Sequence, residues 1–171
     1  MSEGALFGTD GVRDRAGEGL LAPRSVRRLV RAIVRVLADR SRISEGEFPS
    51  ERGNTVFIGR DTRRSGSDLL DLVSSDLCAS GWDVADLGVL PTPGVAHAAS
   101  TSPECGLAIV LSASHNPAEY NGIKLIAPIG AKVSPDFEAA VTREYLALDE
   151  DDSPPSATRR GKVAERSKEM S

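Results

Sequence analysis

The order of apolar runs predicts a layered α/β domain built on a largely parallel sheet. Three observations predict it. Strand-like and helix-like segments alternate along most of the chain. Leu107-Ala108-Ile109-Val110-Leu111 is a near-continuous apolar run, the pattern of a strand covered on both faces. Val26, Leu29, Val30, Ile33, Val34 and Leu37 fall at helical spacing and make one apolar stripe.

Taken in order, Phe7 to Gly19 is rich in Gly, Asp and Arg and reads as a short strand leading into a polar loop. Pro23 suits the first turn of the striped helix. Arg24, Arg27, Arg28, Arg31 and Arg35 occupy the rest of that helix surface. Such a basic amphipathic helix is open to a membrane-surface reading, although a solvated outer face is the commoner use of the pattern. Ser41 to Asn54 is a polar surface loop, and Thr55-Val56-Phe57-Ile58, bounded by Gly59, is a buried strand. Ser65, Gly66 and Ser67 start a second helix with Asp68 and Asp71 placed early, where the helix dipole favours them. Leu69, Leu70, Val73 and Leu77 line its inner face and Gly81 ends it.

Trp82 to Leu87 alternates as a third strand, and Pro91 and Pro93 introduce a short helix through Ala99. Ile123-Lys124-Leu125-Ile126 with a turn at Gly130 reads as a hairpin, and Pro135 to Leu148 as a closing helix. Past Leu148 the character changes. Asp149-Glu150-Asp151-Asp152 and Ser153-Pro154-Pro155-Ser156 make an acidic, proline-containing linker. Thr158 to Ser171 is charged and carries no apolar periodicity that could pack. The expected organisation is a folded domain over 1–148, then a linker and the start of something further over 149–171.

The bulk composition bounds the function. A chain of 171 residues, 40% hydrophobic and 27% charged, supports about one globular core. Only 4% is aromatic, so Val, Leu, Ile and Ala must build that core. A net charge of −4 gives no positive field to attract nucleic acid. Cys78 and Cys105 lack C-x-x-C spacing, so neither a zinc site nor a disulfide framework is expected, and a reducing compartment fits. Met1 to Leu6 has no basic segment followed by an apolar core, which argues against a secretory signal. No run approaches the ~20 apolar residues needed to cross a bilayer. The expectation is a cytoplasmic, soluble protein with no nucleic-acid or membrane partner.

In an open α/β sheet, ligands bind outside the carboxyl ends of the strands. The Leu107–Leu111 run leads into Ser112-Ala113-Ser114-His115-Asn116-Pro117. Ser, His and Asn at a strand end, before a Pro able to open a helical turn, suit a nucleophile held in a sharp bend. An ordinary polar turn with an incidental serine has the same composition. Ser112 and Ser114 are two apart and share a face, so the pattern does not rank them. Arg60, Arg63 and Arg64 lie between a strand end and a helix N-terminus, a place for anions or for a structural ion-pair network with Asp61. His97, on a short apolar helix, reads as a core or surface histidine. The Asp149–Asp152 run fixes no coordination geometry and reads as a solvated tail.

Ser112-Ala113-Ser114-His115-Asn116-Pro117 closely resembles the active-site loop of the α-D-phosphohexomutase superfamily. Four further segments match in the right order. Phe7-Gly8-Thr9-Asp10-Gly11-Val12-Arg13 resembles the N-terminal signature of its phosphoglucosamine mutase branch. Gly59-Arg60-Asp61-Thr62-Arg63 with Ser65-Gly66 is similar to a second family element, and Pro91-Thr92-Pro93 and Asn121-Gly122-Ile123-Lys124 also match. Together they cover Phe7 to about Lys132.

The resemblance implies a three-layer α/β/α domain with a mixed, mostly parallel sheet. It implies that Ser114 carries a phosphoryl group, gives it to a hexose or hexosamine phosphate, and recovers one from the resulting 1,6-bisphosphate. The sugar would be glucosamine phosphate, with phosphomannose or phosphoglucose as the alternative within the superfamily. A non-catalytic domain that binds phosphosugars or a partner chain is the alternative outside it. Arg13 and Lys124 match positions that assist proton transfer or hold the moving phosphoryl group, and His115 would support the same chemistry. Asn116, Arg60 and Arg63 would serve substrate binding.

Phosphoserine carries about −1.5 to −2 charges at neutral pH, so cations must stand nearby. Arg13 is permanently cationic with a fork that suits phosphate, while Lys124 is the better candidate for losing a proton if burial lowers its pKa. The resemblance also implies Mg²⁺, touching this chain only through the phosphate oxygen on Ser114, and glucose or glucosamine 1,6-bisphosphate as primer. The family's D-G-D-x-D-R metal loop, its sugar loop and its R-x-S-G-T phosphate site do not occur in this sequence. Losing one charge-stabilising group can cost ~10²–10³ in rate, so the chain alone is expected to show no turnover unless those domains arrive from another polypeptide. Asp14 stands where the family commonly has Gly, and if it faces Arg13 it would compete with phosphate for that charge.

Overall fold

The computed structural model describes residues 6–149 and 159–165. Most of the predicted linker, 150–158, and the end of the tail, 166–171, lie outside the described residues.

Among the described residues six strands form one sheet: β1 (Val12–Arg15), β2 (Thr55–Arg60), β3 (Asp83–Val89), β4 (Cys105–Leu111), β5 (Tyr120–Ile126) and β6 (Val163–Glu165). Their spatial order is β1-β5-β4-β2-β3-β6. The β4/β2, β2/β3 and β3/β6 pairs are parallel, whereas β1/β5 and β4/β5 are antiparallel. Four helices cover this mixed sheet: α1 (Pro23–Ala38), α2 (Ser65–Ala79), α3 (Thr92–Thr101) and α4 (Pro135–Ala147). None of the described helices is long and apolar enough to cross a membrane.

Alternation along the strands divides the core into two layers. Val56 and Ile58, then Leu107, Ile109 and Leu111, face α1, α2 and α4 in the larger layer. Phe57, Ala108 and Val110 face Val95, Ala98 and Ala99 of α3 on the other side. Every residue of β4 is buried, which is why its sequence shows no polar alternation. Phe48 and Phe137, among the few aromatic residues, stack with centroids 4.7 Å apart beneath α4. Burial of each large aliphatic side chain in these layers contributes about 1.5–3 kcal/mol.

The helix ends follow local rules. Pro23 and Pro135 occupy first-turn positions, where the missing N–H costs nothing. The Ser134 hydroxyl accepts a hydrogen bond from the Phe137 N–H, and Asp136 and Glu138 sit in the first turn of α4.

The arginines of α1 are engaged within the protein. Arg27 and Arg31 flank the buried Asp76 of α2. Arg28 stacks over the Tyr145 ring at 4.6 Å. Arg35 and Arg42 converge on Glu144 of α4. The basic stripe therefore stitches α1 to its two neighbouring helices.

As expected, the strand near the N-terminus leads into a polar loop, Ala16-Gly17-Glu18, and a Thr9-Asp10 turn between the bridged Gly8 and Gly11 precedes it. Three expectations need correction. The turn at Gly130 closes with only one bridge, Ile126 to Lys132, and the extended hairpin is β4–β5. Pro117 opens one hydrogen-bonded turn, closed by the Tyr120 N–H on its carbonyl at 3.0 Å, and no helix follows. Finally, residues of the charged tail do pack: Val163–Glu165 add to the sheet edge beside β3. All three are exposed. Main-chain hydrogen bonding, which needs no apolar pattern, holds them there, starting with Val84 N–H to the Lys162 carbonyl at 2.7 Å. Arg159 and the Lys162 N–H bind the Asp83 carboxylate on the way.

Candidate active site

The β4–β5 hairpin carries the loop from Ser112 to Glu119 at the same sheet edge as the end of β2. Leu111 pairs with Ile123, and the Ser112 N–H continues the ladder to the Gly122 carbonyl at 3.0 Å. Beyond that point the backbone turns sharply. Ser114 has φ of +55°, the single left-handed non-glycine residue among the described ones, a conformation that costs of order 1–3 kcal/mol. Its N–H donates to the Ser112 hydroxyl at 3.0 Å. The two serines are thereby separated: Ser112 is buried and supports the bend, and Ser114 is exposed at its tip.

Two cations converge on the exposed hydroxyl. Lys124 Nζ donates to Ser114 Oγ at 2.8 Å, and Arg13 Nη2 donates to the same oxygen at 3.3 Å. Strand register accounts for this meeting. Arg13 of β1 lies opposite Gly122 of β5, and Lys124 is two residues along from Gly122, hence on the same face.

Glycine at 122 is a matter of space. A Cβ there would meet the Ser112 carbonyl at 2.7 Å and both the Val12 carbonyl and Arg13 Cγ at 3.0 Å. Gly11, with φ of +98°, lets the turn before β1 close against the Ile123 carbonyl. Arg13 Nη2 is shared, since it also donates to Asp10 Oδ2 at 2.9 Å, while Arg13 Nε is buried without a partner.

His115 is exposed on the loop, and no hydrogen bond among the described residues joins its side chain to Ser114. Asn116 enters through its backbone: its N–H donates to the Ala113 carbonyl at 3.1 Å.

Arg60 and Arg63 both bond to protein groups. Arg60 Nη1 pairs with Asp86 Oδ1 of β3 at 2.7 Å. Arg63 is more fully committed. Its Nε donates to Asp61 Oδ2 at 3.0 Å, Nη1 donates to the carbonyls of Pro117 and Tyr120, and Nη2 donates to those of Ser114 and Asn116. A guanidinium has five N–H groups, and all five are used. Arg63 therefore has no donor left for a substrate phosphate, which corrects the sequence expectation. Its carbonyl partners lie 51 to 57 residues away in sequence, so spacing carried no sign of them. Asp14 does not meet the condition for competing with phosphate. Its carboxylate accepts from the Arg15 and Leu20 N–H groups at 2.8 Å each, closing the loop after β1 instead of facing Arg13.

Ser112 and Asn121 were named in the sequence, but their supporting roles were not foreseen. Asn121 is fully buried, donates to Ser65 Oγ at 2.9 Å and accepts from the Gly122 N–H at 2.8 Å. It ties the start of α2 to β5 just behind the loop. An Asn within a strand, where its type is uncommon, was the available signal. A cleft of about 410 Å³ between Leu21, Ser65, Leu69 and Asn121 contains neither Ser114 nor its two cations. Ser114 itself is exposed to solvent.

Comparison with known proteins matches residues 4–152 to the family described as phosphoglucomutase/phosphomannomutase, alpha/beta/alpha domain I. The phosphoglucosamine mutase of Frankia casuarinae is 49% identical over 139 residues, 81% of this chain and 30% of that protein. That of Teredinibacter turnerae is 40% identical over 138 residues, with 81% and 29% covered. A crystal structure of a phosphoglucomutase/phosphomannomutase family protein from Burkholderia thailandensis superposes with a TM-score of 0.70 at 25% identity, covering 96% of this chain and 33% of that one. The chain thus spans about a third of the length of these relatives.

Proposed function

Because this chain belongs to the phosphoglucomutase/phosphomannomutase family, as its α/β/α domain I, we propose that it is the phosphoserine-bearing part of a phosphosugar mutase. The substrate class is a hexosamine phosphate, interconverted between glucosamine 6-phosphate and glucosamine 1-phosphate. The observation that carries the reading is the convergence of Lys124 Nζ and Arg13 Nη2 on one exposed serine oxygen. The glucosamine choice rests on the 40–49% identity to phosphoglucosamine mutases. The family description, which names glucose and mannose phosphates, favours the second reading of a phosphoglucose or phosphomannose substrate. Two free, buried cysteines, Cys78 and Cys105, fit a reducing, cytoplasmic setting.

The chemistry balances as a phosphoryl exchange. The Ser114 hydroxyl attacks a phosphorus of a hexose 1,6-bisphosphate, an Oγ–P bond forms, the sugar O–P bond breaks, and the serine proton ends on the released sugar oxygen. The return step regenerates the free hydroxyl. Such transfers depend on positioning and charge neutralisation more than on new covalent groups. Lys124 and Arg13 supply that neutralisation at Oγ, while the Ser112 hydroxyl and the bend at Ser114 aim the oxygen outward. His115 and Asn116 are proposed to meet the substrate as it lands on the loop. Mg²⁺ belongs to the family chemistry as a neutralising cation. Among the described residues no group of three or more His, Cys, Asp or Glu side chains is placed to hold a metal ion. The described residues thus offer no such cluster of their own, so Mg²⁺ would touch this part only through a phosphate oxygen on Ser114, and no step is assigned to it.

The test is intact-mass measurement after incubation with glucose 1,6-bisphosphate, with fragment mapping and Ser114→Ala as control. One added phosphate on Ser114, absent from the control, supports the reading. A phosphate mapped to another residue overturns it.

A further inference from the structure

The sharpest departure from sequence expectation is Arg63, and its surroundings give it a different task. Four of its five N–H groups converge on carbonyls of one short segment, those of Ser114, Asn116, Pro117 and Tyr120. The fifth reaches Asp61, whose other oxygen accepts the Arg63 N–H at 3.1 Å. Asp61 is itself pinned, because its N–H donates to the Leu111 carbonyl at 3.1 Å, at the end of the strand that launches the loop. The chain from β4 through Asp61 and Arg63 back to the loop is thus a closed circuit of hydrogen bonds, in which those made by the Arg63 guanidinium and the Asp61 carboxylate are charge-assisted and individually about twice as strong as neutral ones. The Arg63 side chain is only 11% exposed, so water competes weakly for the carbonyls.

We propose that Arg63 is a positioning residue for the transfer serine: its guanidinium gathers the carbonyls of the 114–120 loop inward and thereby holds Ser114 in its left-handed conformation with Oγ turned to Lys124 and Arg13. The proposal rests on the reading of Ser114 as the phosphoryl carrier. Something must offset the cost of φ +55° at a residue with a side chain. The Ser112 hydroxyl contributes one bond, to the Ser114 N–H. Arg63 contributes the rest, because its Nη2 grips the carbonyl on the other side of Ser114. Lysine cannot replace it, since an ammonium offers three donors from a single point whereas these acceptors need a planar fork. The arrangement has an electrostatic consequence. With its charge spread over four inward carbonyls and Asp61, Arg63 leaves Arg13 and Lys124 as the cations that face the incoming phosphoryl group.

The test uses isotope-labelled 171-residue chain as wild type, Arg63→Ala and Arg63→Lys, read by Ser114 Cα chemical shift and residue-specific amide exchange. The expected result is a Ser114 shift in the left-handed range for wild type only. In Arg63→Ala the Asn116 and Tyr120 amides should exchange roughly ten- to hundredfold faster, with β2 and β4 amides unchanged. Sub-denaturing guanidinium ion should restore the Ser114 shift in Arg63→Ala but not in Ser112→Ala. If Arg63→Ala fails to fold, Arg63→Lys carries the same expectation with a smaller change. Retention of the wild-type Ser114 shift in either folded variant overturns the proposal, as does faster exchange spread evenly over the sheet. These readouts need no phosphoryl transfer, so a failure of the mutase reading shows separately, as wild-type chain with an ordered loop whose bisphosphate-derived phosphate maps elsewhere.

Discussion

Arg13 divides one guanidinium nitrogen between Ser114 and Asp10: Nη2 lies 3.3 Å from the serine Oγ and 2.9 Å from the aspartate Oδ2. The shorter bond goes to the carboxylate, so with a free serine hydroxyl Arg13 is held mainly by Asp10. A phosphoryl group at Ser114 would bring about −1.5 to −2 charges to the same nitrogen and outcompete a single carboxylate that is half exposed. Asp10→Asn should therefore free Arg13 and raise the phosphorylated fraction at a fixed bisphosphate concentration. Exposed ion pairs are worth about 0.2–1 kcal/mol, which translates to an increase of roughly one-and-a-half- to fivefold. Quantitative intact-mass measurement reads it, and an unchanged fraction counts against the competition.

Lys124 makes the shorter of the two bonds to Ser114 Oγ, at 2.8 Å. Lys124→Met keeps much of the aliphatic stem and removes the charge. The expected outcome is a fall in the rate of phosphate acceptance of ~10²–10³, the usual cost of removing one charge-stabilising donor. The thermal transition should move little, because the ammonium is only partly buried and its loss opens no cavity. A rate within threefold of wild type, measured by a mass time course (about 0.7 kcal/mol of barrier), would remove Lys124 from the chemistry.

Much of this architecture was legible from residue order because local physics dominates there. The stripe of α1 and the uniformly apolar β4 each state their burial directly. The motif loop also announced itself as a strand end. What stayed hidden depends on distant partners. Two serines at 112 and 114 look equivalent until the backbone bends at the second one and buries the first. Arg63 looks like an anion ligand because charge is visible in a sequence and carbonyl acceptors over 50 residues away are not. Val163–Glu165 join the sheet through main-chain bonds, to which side-chain patterning is blind. The pairing of α1 arginines with Asp76 and Glu144 was likewise invisible, so a stitched helix interface resembled a basic outer face.

Asp76 tests that interface. Its side chain is 4% exposed, Arg27 Nη1 lies 3.1 Å from one oxygen, and Arg31 Nε lies 3.7 Å from the other. Both Arg31 Nε and Asp76 Oδ2 lack a hydrogen bond, so this pair is joined by charge at slightly long range. Asp76→Ala leaves the 11%-exposed Arg31 without its counterion. Removing one partner of a buried pair costs about 3–5 kcal/mol; the partial exposure of Arg27 places the expectation near the lower figure. An unfolding free energy from urea denaturation that falls by less than a third of that would show Arg31 reaching solvent instead.

Gly122→Ala probes how β1 reaches the site. The new methyl would press on two backbone atoms, the Val12 carbonyl in β1 and the Ser112 carbonyl just past β4, and on Arg13 Cγ. Relief requires β1 to shift on β5, at a cost of about 1–3 kcal/mol. Arg13 should lose its contact with Ser114, so phosphate acceptance and the thermal midpoint should fall together. A lowered midpoint with full acceptance would mean that Arg13 does not depend on the strand register.

Glu144 sets part of the acid response. The hydrogen bond from Arg42 holds its carboxyl below the usual carboxylate value, with Arg35 adding to the effect and burial opposing it. A carboxyl whose folded pKa is depressed binds protons more readily when the chain is unfolded. Its stabilising contribution is then fully present above the ordinary value of about 4.3 and is lost as the pH falls from there through the lower folded value. Glu144→Gln removes this contribution, so its melting temperature should lie below wild type at neutral pH. The two curves should converge as the pH drops below about 4. Melting curves from pH 7 to 3 read this, and a gap that stays constant through the acid range would assign the loss to packing between α1 and α4 rather than to the charge at 144.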